Sequence, residues 1–274
     1  MRLQAEQPSS AESLAVERAG QGPLTFVLLH GGCCDQGDWT FQRTDLAHDH
    51  TVLSCDLPGH GESTTSGEAS VAGLADSVTR LRRSRATDQQ ILVGHSMGCW
   101  LALESYRQDP LGVRGIVLIE CTRFPETAAS RQALRAQIRS VGAKVVLRAV
   151  YPSMLGADVV PETLAKHLAR VEKVSEHFIR DLILSAIDWD ESRLIAVLES
   201  LEVPLGVLQS TLVEVDGRRA TLERAEQHPF LRCVQQVAPT ATIKLMSGVS
   251  HFPHLDEPQV VSDFLQSFAD RVRA

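Results

Sequence analysis

The stretch that decides the fold is QILVGHSMGCWLALESYRQ, residues 90–108. It begins with an apolar run at Ile91–Val93, passes through Gly-His-Ser-Met-Gly at 94–98, and ends in a pattern that predicts a helix over Gly98–Gln108. A strand, a Gly-x-Ser-x-Gly turn and a helix in this order form a nucleophile elbow, whose strained turn projects the serine hydroxyl from the edge of a sheet. The glycines are needed because strand and helix nearly collide there. Ser96 is therefore the candidate nucleophile.

Similar apolar runs, separated by turn residues and amphipathic segments, lie on both sides of this stretch. The predicted strands are Ser13–Arg18 (an edge strand), Leu24–Leu29, Thr51–Cys55, Gln90–Val93, Gly115–Ile119, Val203–Leu208 and Thr242–Met246. The predicted helices between and after them are Ser70–Arg83, Gly98–Gln108 and Gln259–Arg273. Short runs that are apolar on both faces suit strands buried in a parallel sheet. Strands that alternate with helices predict an α/β fold with a mostly parallel sheet.

One long stretch, Arg123–Leu201, breaks this alternation. It has no convincing strand and several amphipathic helical segments, among them Ala128–Val141, Pro161–Val174 and Glu176–Ile187. We expect a helical cap inserted before the penultimate strand, lying over the carboxyl edge of the sheet, where ligands of open α/β sheets bind. The predicted domains are a core of residues 1–122 and 202–274 and a cap of residues 123–201.

Composition limits the partners of this chain. Its 274 residues carry a net charge of −7 without a basic block, so neither nucleic acid nor an anionic membrane is an expected partner. The six cysteines lie in or beside apolar runs with no CxxC pair, which favours free thiols over disulfides. No signal peptide or membrane span is visible. We expect a cytoplasmic monomer or homodimer that acts on a small molecule.

A serine nucleophile needs a base and an oxyanion hole. His251 follows the last predicted strand and comes after Ser96 in chain order, as a base in this arrangement should. Its neighbour His254 is the competing choice and is expected to be a solvated loop histidine. The oxyanion amides are predicted at Met97, directly after the nucleophile, and at Gly32 in the loop after Leu24–Leu29, with Cys33 as the second choice for that loop.

Four motifs in order make the chain resemble the α/β-hydrolase superfamily from about Ser13 to Arg273. They are His-Gly-Gly at 30–32, Asp-Leu-Pro-Gly-His-Gly-Glu-Ser at 56–63, Gly-His-Ser-Met-Gly at 94–98 and Gly-Val-Ser-His-Phe at 248–252. The resemblance implies a mostly parallel sheet flanked by helices, a Ser-His-acid triad and a helical lid. It does not specify a subfamily.

The acid of the triad has two candidate positions. The superfamily usually places an Asp shortly after the strand that follows the lid, but Leu212 stands there and Asp216 lies further on, in an apparent Asp-Gly turn. Some members carry the acid one strand earlier, where this chain has Glu120. We expect a carboxylate at the end of the apolar run Gly115–Ile119 to have a partner, because burying an unpaired charge is costly. We therefore favour Glu120, with Asp216 as the alternative.

The resemblance implies a serine hydrolase, in the class of carboxylic ester hydrolases, acting on a small, fairly apolar ester, lactone or thioester. Ser96 would form an acyl-enzyme with His251 as general base. No cofactor is expected, and no metal-ligand spacing is present. Four aromatic and thioether side chains of the cap are candidate substrate contacts: Trp189, Tyr151, Phe178 and Met154.

Three alternatives to ester hydrolysis stay open. An acid at the position of Glu120 is similar to the cofactor-free dioxygenases of this fold, which cleave quinolone-type N-heteroaromatic rings with a His–acid dyad, here His251 and Glu120. The segments 226–229 and 250–253 also look similar to that group, but Met97 stands where its members tend to carry a second His. A carbon–carbon hydrolase or lyase is the second alternative. A non-catalytic ligand receptor is the third.

Overall fold

A seven-stranded sheet forms the centre of the molecule. The structure is a computed structural model that describes residues 14–64, 68–125, 127–156, 159–214 and 217–273. The sheet strands are β1 (Val16–Ala19), β2 (Thr25–Leu29), β3 (Thr51–Cys55), β4 (Gln90–His95), β5 (Val113–Ile119), β6 (Leu205–Gln209) and β9 (Thr242–Leu245). Their order is β1-β3-β2-β4-β5-β6-β9, with β1 antiparallel to β3 and every other pair parallel. The predicted α/β fold with a mostly parallel sheet is confirmed.

Helices cover both faces of this sheet. They are α1 (Thr40–Leu46), α2 (Val71–Arg85), α3 (Met97–Gln108), α9 (Pro229–Val237), α10 (Pro253–Asp256) and α11 (Pro258–Arg273). Alternate residues of β2 point to opposite faces, so Phe26 and Leu28 pack with α1 and α11 whereas Val27 and Leu29 pack with α2 and α3. Burial on both faces explains why the strands are continuously apolar instead of alternating.

Strand order places the candidate site. From β2 the chain moves to one side to form β3 and then crosses to the other side of β2 to form β4. The loops that follow β2 and β4 therefore diverge, and such a switch point opens a crevice at the carboxyl edge of the sheet. The loop at 30–34 and the turn at Ser96 lie at this crevice.

Five helices follow β5 before the chain returns to the sheet at β6. They are α4 (Ala128–Val141), α5 (Ala143–Met154), α6 (Pro161–Lys173), α7 (Glu176–Ser192) and α8 (Leu194–Glu199). Helix α6 reaches the loop after β2, where Arg170 bonds Asp35 at 2.8 Å and Asp38 at 2.7 Å. Helix α7 places the ring of Phe178 6.0 Å from that of His60. These helices thus pack over loops at the carboxyl edge; the cap boundaries 123–201 stay a prediction.

The structure also contains elements that the sequence patterns did not predict. Helices α5 and α8 are two of them, and a hairpin after β6 is a third, with β7 (Thr211–Val213) antiparallel to β8 (Arg219–Thr221). The hairpin strands are three residues long, too short for a recognisable alternation. Strand ends differ from prediction by a few residues: β1 ends at Ala19 and β5 begins at Val113, while Ser13 lies outside the described residues.

No helix of the described residues is both long and apolar enough to cross a membrane.

Candidate active site

Ser96 lies in a sharp turn between β4 and α3. Its φ of 51° and ψ of −115° are unusual for a residue with a side chain. A Cβ added at Gly94 would lie less than 3.0 Å from the carbonyl oxygen of Gly98, and one added at Gly98 would lie as close to that of Leu29. Only glycine fits at both positions, which is the steric reason for the Gly-x-Ser-x-Gly spacing.

Backbone strain is concentrated around this turn. Among the described residues, the three non-glycine residues with positive φ are Cys33 at 58°, Ser96 at 51° and Glu120 at 57°. They follow β2, β4 and β5, three neighbouring strands, at the same edge of the sheet. Strained residues of this kind persist where the surrounding structure holds them, and they cluster at active sites.

Glu120 is the most fully paired carboxylate of the site. It is 0% exposed, and Oε1 accepts hydrogen bonds from Ser210 N, from Ser210 Oγ at 2.8 Å and from Thr211 N at 3.0 Å. Oε2 accepts from Thr211 Oγ1, from Arg219 Nη1 at 3.3 Å and from His251 Nδ1 at 2.8 Å. The donors surround both oxygens, so the burial penalty of the charge is offset.

His251 is held from three sides. Its Nδ1 bonds Glu120, its backbone N–H donates to Met154 O at 2.9 Å, and its carbonyl oxygen accepts from His95 Nε2 at 2.8 Å. Because Nδ1 carries the proton given to Glu120, the lone pair lies on Nε2, the tautomer of a general base. Burial lowers the pKa of His251 well below its usual value, and Arg219 lowers it further.

No hydrogen bond joins Ser96 Oγ to His251 within the described part of the chain. The two residues are nevertheless close to each other, since the ring of His95, which precedes Ser96, lies 4.9 Å from the ring of His251. Hydrogen bonds between nucleophile and base are often loose before substrate binds.

The prediction that His254 is a solvated loop histidine is wrong. His254 is 1% exposed, and its ring stacks on Trp39 at 4.5 Å and lies 4.4 Å from the ring of His95. The cause is the short helix α10, which follows His251 and turns His254 into the core. Burial lowers the pKa of His254 well below its usual value, so this ring is neutral.

The loop that carries Gly32, one of the two predicted oxyanion amides, lies next to Met97, which carries the other. A Cβ added at Gly32 would lie 3.8 Å from Met97 Sδ, and one added at Gly31 would lie 3.3 Å from the Cβ of Ser96, so the loop after β2 runs against the elbow. Within the described ranges, the backbone N–H groups of Gly32, Cys33 and Met97 donate to no protein acceptor. Unpaired amides at this place are available to a ligand oxygen.

The four predicted substrate contacts lie in different surroundings. The Tyr151 hydroxyl is 3.8 Å from Cys34 Sγ, next to the loop after β2, and Met154 contacts His251 through its carbonyl oxygen. Phe178 packs against the loop at Gly59, where an added Cβ would come within 2.7 Å of its ring. Trp189 is 6% exposed, and its Nε1 donates to Glu104 Oε2 at 2.9 Å, at the interface of α7 with α3.

Two further residues, Asp216 and Arg219, belong to the part of the chain that follows β6. Asp216, the alternative acid, lies outside the described residues. Arg219, which no pattern singled out, lies 3.3 Å from Glu120 with its side chain 5% exposed. An arginine next to a glycine turn is common on a surface, so the sequence offers no signal of its burial.

All six cysteines are buried free thiols. Burial raises the pKa of the Cys33 thiol to about 12, so it is not a nucleophile at neutral pH. A cavity of about 230 Å³ lies between Cys33, Asp56 and Arg170, and neither Ser96 nor His251 lines it. No group of three or more His, Cys, Asp or Glu side chains in the described ranges is arranged to hold a metal ion.

Comparison with known proteins shows the family and the fold of the chain. Residues 26–264 match the family model described as "Alpha/beta hydrolase family", and the chain belongs to this family. An esterase from Thermogutta terrifontis has a similar structure, with a TM-score of 0.76, 22% identity, and coverage of 96% of this chain and 95% of its own. An enol-lactonase from Burkholderia xenovorans LB400 gives a TM-score of 0.71 at 20% identity, with 94% and 96% covered.

A curated relative is the dihydrolipoyllysine-residue acetyltransferase component of the acetoin cleaving system of Pseudomonas putida. It is 29% identical over 189 residues, which are 65% of this chain and 48% of the relative. The match thus spans about half of the length of that relative. Together with the family match and the sheet, these findings identify the chain as an α/β hydrolase.

Proposed function

We propose that this chain is a serine hydrolase of small, fairly apolar carboxylic esters, lactones or thioesters. The observation that carries the proposal is the convergence of the strained Ser96 turn with the Glu120–His251 pair, joined at 2.8 Å, at one edge of the sheet. A Ser, a His and an acid in these roles are recognised by geometry rather than by sequence position.

The side chains divide the reaction between them. His251 Nε2 takes the Ser96 hydroxyl proton as Oγ attacks the substrate carbonyl, and the Gly32 and Met97 amides receive the oxygen that becomes negative. The imidazolium then gives its proton to the leaving oxygen or sulfur, and an acyl-enzyme remains. Water, deprotonated by His251, attacks the acyl carbon; the serine recovers its proton, and a carboxylic acid is released. Glu120 keeps the His251 tautomer throughout.

Burial supports a small and mostly apolar substrate. His251 is 2% exposed and Met97 is 5% exposed, while Ser96 is half-buried, so the base and the elbow are largely shielded from water. Of the four cap residues expected to contact substrate, we propose Tyr151, Phe178 and Met154 and leave out Trp189, because its Nε1 is bonded to Glu104 at the interface of α7 with α3. Two proteins with this fold are named as an esterase and an enol-lactonase, which supports a carboxylic ester or lactone as the substrate class.

The test is labelling with a fluorophosphonate probe combined with turnover of p-nitrophenyl esters of increasing acyl length. We expect the probe to label wild-type protein at Ser96. Ser96→Ala is expected to abolish labelling and to lower ester turnover at least about 10³-fold, because the acyl-enzyme cannot form.

A matched control is Ser140→Ala, which removes an exposed hydroxyl of α4 that bonds only its own helix, at Gln137 O. This variant should be labelled and active like the wild type. Ester turnover that survives in Ser96→Ala would show that Ser96 is not the acyl nucleophile.

One observation favours a second candidate, the cofactor-free dioxygenase of N-heteroaromatic substrates. His251 is bonded to Glu120, a carboxylate whose position after β5 is similar to that of the acid in the dioxygenase His–acid dyad. Oxygen uptake with a panel of alkylquinolones separates the two candidates. A dioxygenase would consume oxygen in both wild type and Ser96→Ala, whereas the serine hydrolase consumes none and loses ester turnover with Ser96.

A further inference from the structure

We propose that Arg219 is a positioning residue of the Glu120–His251 pair: its guanidinium holds the carboxylate oxygen that receives His251 Nδ1–H and opposes positive charge on the His251 ring. The inference rests on the proposed function in that His251 is taken as the base. Neither the resemblance nor the motifs point to Arg219.

Position is the first argument. Arg219 begins β8 and pairs with Val213 of β7, so it stands on the hairpin that follows the strand neighbouring Glu120. Its backbone N–H donates to Ser153 Oγ at 3.0 Å, which ties the hairpin to α5. Its side chain is 5% exposed and points inward to the end of β5. An arginine is rarely buried in this way unless it is paired.

The hydrogen bonds of the guanidinium form the second argument. Nη1 donates to Glu120 Oε2 at 3.3 Å and to Thr211 Oγ1 at 2.9 Å, and Nη2 donates to Thr122 Oγ1 at 2.9 Å. The Thr211 hydroxyl in turn donates to the same Glu120 oxygen. The planar guanidinium thus fixes Oε2 both directly and through Thr211, a geometry that a lysine ammonium does not reproduce.

The two Glu120 oxygens have different partners, which links Arg219 to the base. Oε1 accepts only from neutral donors of Ser210 and Thr211, whereas Oε2 is shared by Thr211, Arg219 and His251. Any movement of Oε2 therefore changes the direction of the His251 ring. Misplacement of a reacting group by about 1 Å can cost about 100-fold in rate.

Charge is the third argument. When His251 takes the serine proton, a second positive charge forms near Arg219 in a buried site, where charges interact strongly. The groups that face His251 are Glu120 from β5, Arg219 from β8, His95 from β4, His254 from α10 and the Met154 carbonyl from α5. Burial lowers the pKa of both His95 and His254, so these rings are neutral, and one carboxyl group, Glu120, and one guanidinium, Arg219, remain beside His251.

The sign of the effect follows from these charges. Burial lowers the pKa of His251, and Arg219 lowers it further, so His251 stays neutral and available as a base to lower pH than it would without Arg219. Removal of the positive charge should raise the pKa of His251. The acidic limb of the pH profile of kcat/KM should then move to higher pH.

The experiment compares Arg219→Met, Arg219→Gln and Arg219→Lys with the wild type, using p-nitrophenyl ester turnover from pH 4 to 9. The two uncharged variants should lower kcat by about 10- to 100-fold and move the acidic limb upward by about one pH unit. Arg219→Lys should keep the limb in place, since it keeps the charge, while kcat falls because the guanidinium plane is lost. The matched control is Arg114→Met, at an exposed position of β5, which should change neither kcat nor the position of the acidic limb.

A second readout separates this inference from the proposed function. The NMR titration of the His251 ring reports its pKa without any turnover, and it should move upward in Arg219→Gln and stay in Arg219→Lys. If the wild type hydrolyses no ester but the titration moves as stated, the proposed function fails and the role of Arg219 stands. If esters are hydrolysed and neither the pH limb nor the titration moves in any folded Arg219 variant, the role of Arg219 is wrong. Should Arg219→Met not fold, Arg219→Gln gives the same decision.

Discussion

Two buried carboxylates of this molecule, Glu120 directly after β5 and Asp190 in helix α7, have different surroundings. Glu120 is 0% exposed and receives hydrogen bonds from backbone, hydroxyl, guanidinium and imidazole donors. Asp190 is 1% exposed, and its oxygens receive no hydrogen bond of ordinary geometry from the described residues, although the backbone N–H of Phe124 lies close enough to lower its pKa. Two arginines come near it, Arg131 at 3.6 Å and Arg123 at 3.9 Å.

The difference shows how a carboxylate can be held in one orientation in a buried place. Asp190 has two cations nearby, yet burial raises its pKa to about 6, more than the arginines lower it. The two ion pairs thus do not offset the loss of water around Asp190, whereas hydrogen-bond donors contact both oxygens of Glu120. Glu120 is therefore suited to hold one imidazole in one orientation. Asp190 is suited to change its charge near neutral pH.

The largest expected effect comes from the same amide substitution at the two sites. Glu120→Gln keeps the shape but replaces an acceptor oxygen with an NH₂ group that faces the donors of Ser210, Thr211 or His251. The His251 tautomer is then no longer fixed, and kcat should fall by about 10³- to 10⁴-fold, the size seen when a triad acid is replaced by its amide. Steady-state kinetics on p-nitrophenyl esters measures the loss.

The control for this substitution is Asp190→Asn, which removes a buried carboxylate without touching the triad and should keep kcat near the wild-type value. Asp216→Asn tests the alternative acid in the same assay. Activity that is lost in Asp216→Asn and kept in Glu120→Gln would overturn the assignment of Glu120.

Much of the fold could be predicted because its signals are local. The strand at Gln90–His95 and the turn at Ser96 are set by sterics that act over a few residues, and the apolar runs report burial on both faces of the sheet. The position of Glu120 at the end of such a run likewise predicted a buried and paired carboxylate. The structure agrees with that part of the interpretation.

The remaining features depend on contacts between distant parts of the chain. Arg219 and Thr122 are 97 residues apart in sequence, and only the hairpin of β7 and β8 brings them together. His254 is buried because α10 turns it toward Trp39, which is far away in the sequence. No periodicity encodes such contacts, since a polar residue next to a glycine or proline looks the same in a solvated loop.

The second prediction concerns Asp190 and pH. Its pKa is raised from the ordinary 3.8 to about 6 in the folded protein, so between these values the folded state binds more protons than the unfolded chain. The contribution of Asp190 to the free energy of unfolding is therefore fully present below about pH 4 and is lost as the pH rises through about 6. The loss amounts to about 3 kcal/mol.

Asp190→Asn removes this titration, and the comparison is made by urea denaturation at pH 4 and pH 8. The other carboxylates change the free energy of unfolding with pH in the same way in both proteins. The difference between wild type and variant therefore reports Asp190. Relative to that of the wild type, the free energy of unfolding of the variant should rise by about 3 kcal/mol between pH 4 and pH 8. A difference that is equal at the two pH values would show that burial does not raise the pKa of Asp190.

The smallest expected effect concerns Trp189, the residue before Asp190, and extends the comparison to a third buried carboxylate, Glu104. Trp189→Phe removes the 2.9 Å bond from Nε1 to Glu104 Oε2, and a hydrogen bond to a charged group is worth about 2 kcal/mol. Trp100→Phe is the matched control, because the Trp100 ring stacks on Phe124 while its Nε1 has no partner among the described residues. Urea denaturation should show the larger loss in Trp189→Phe, with kcat/KM unchanged. Equal losses would mean that the Glu104 bond contributes nothing, and a rise in KM confined to Trp189→Phe would instead place Trp189 in contact with substrate.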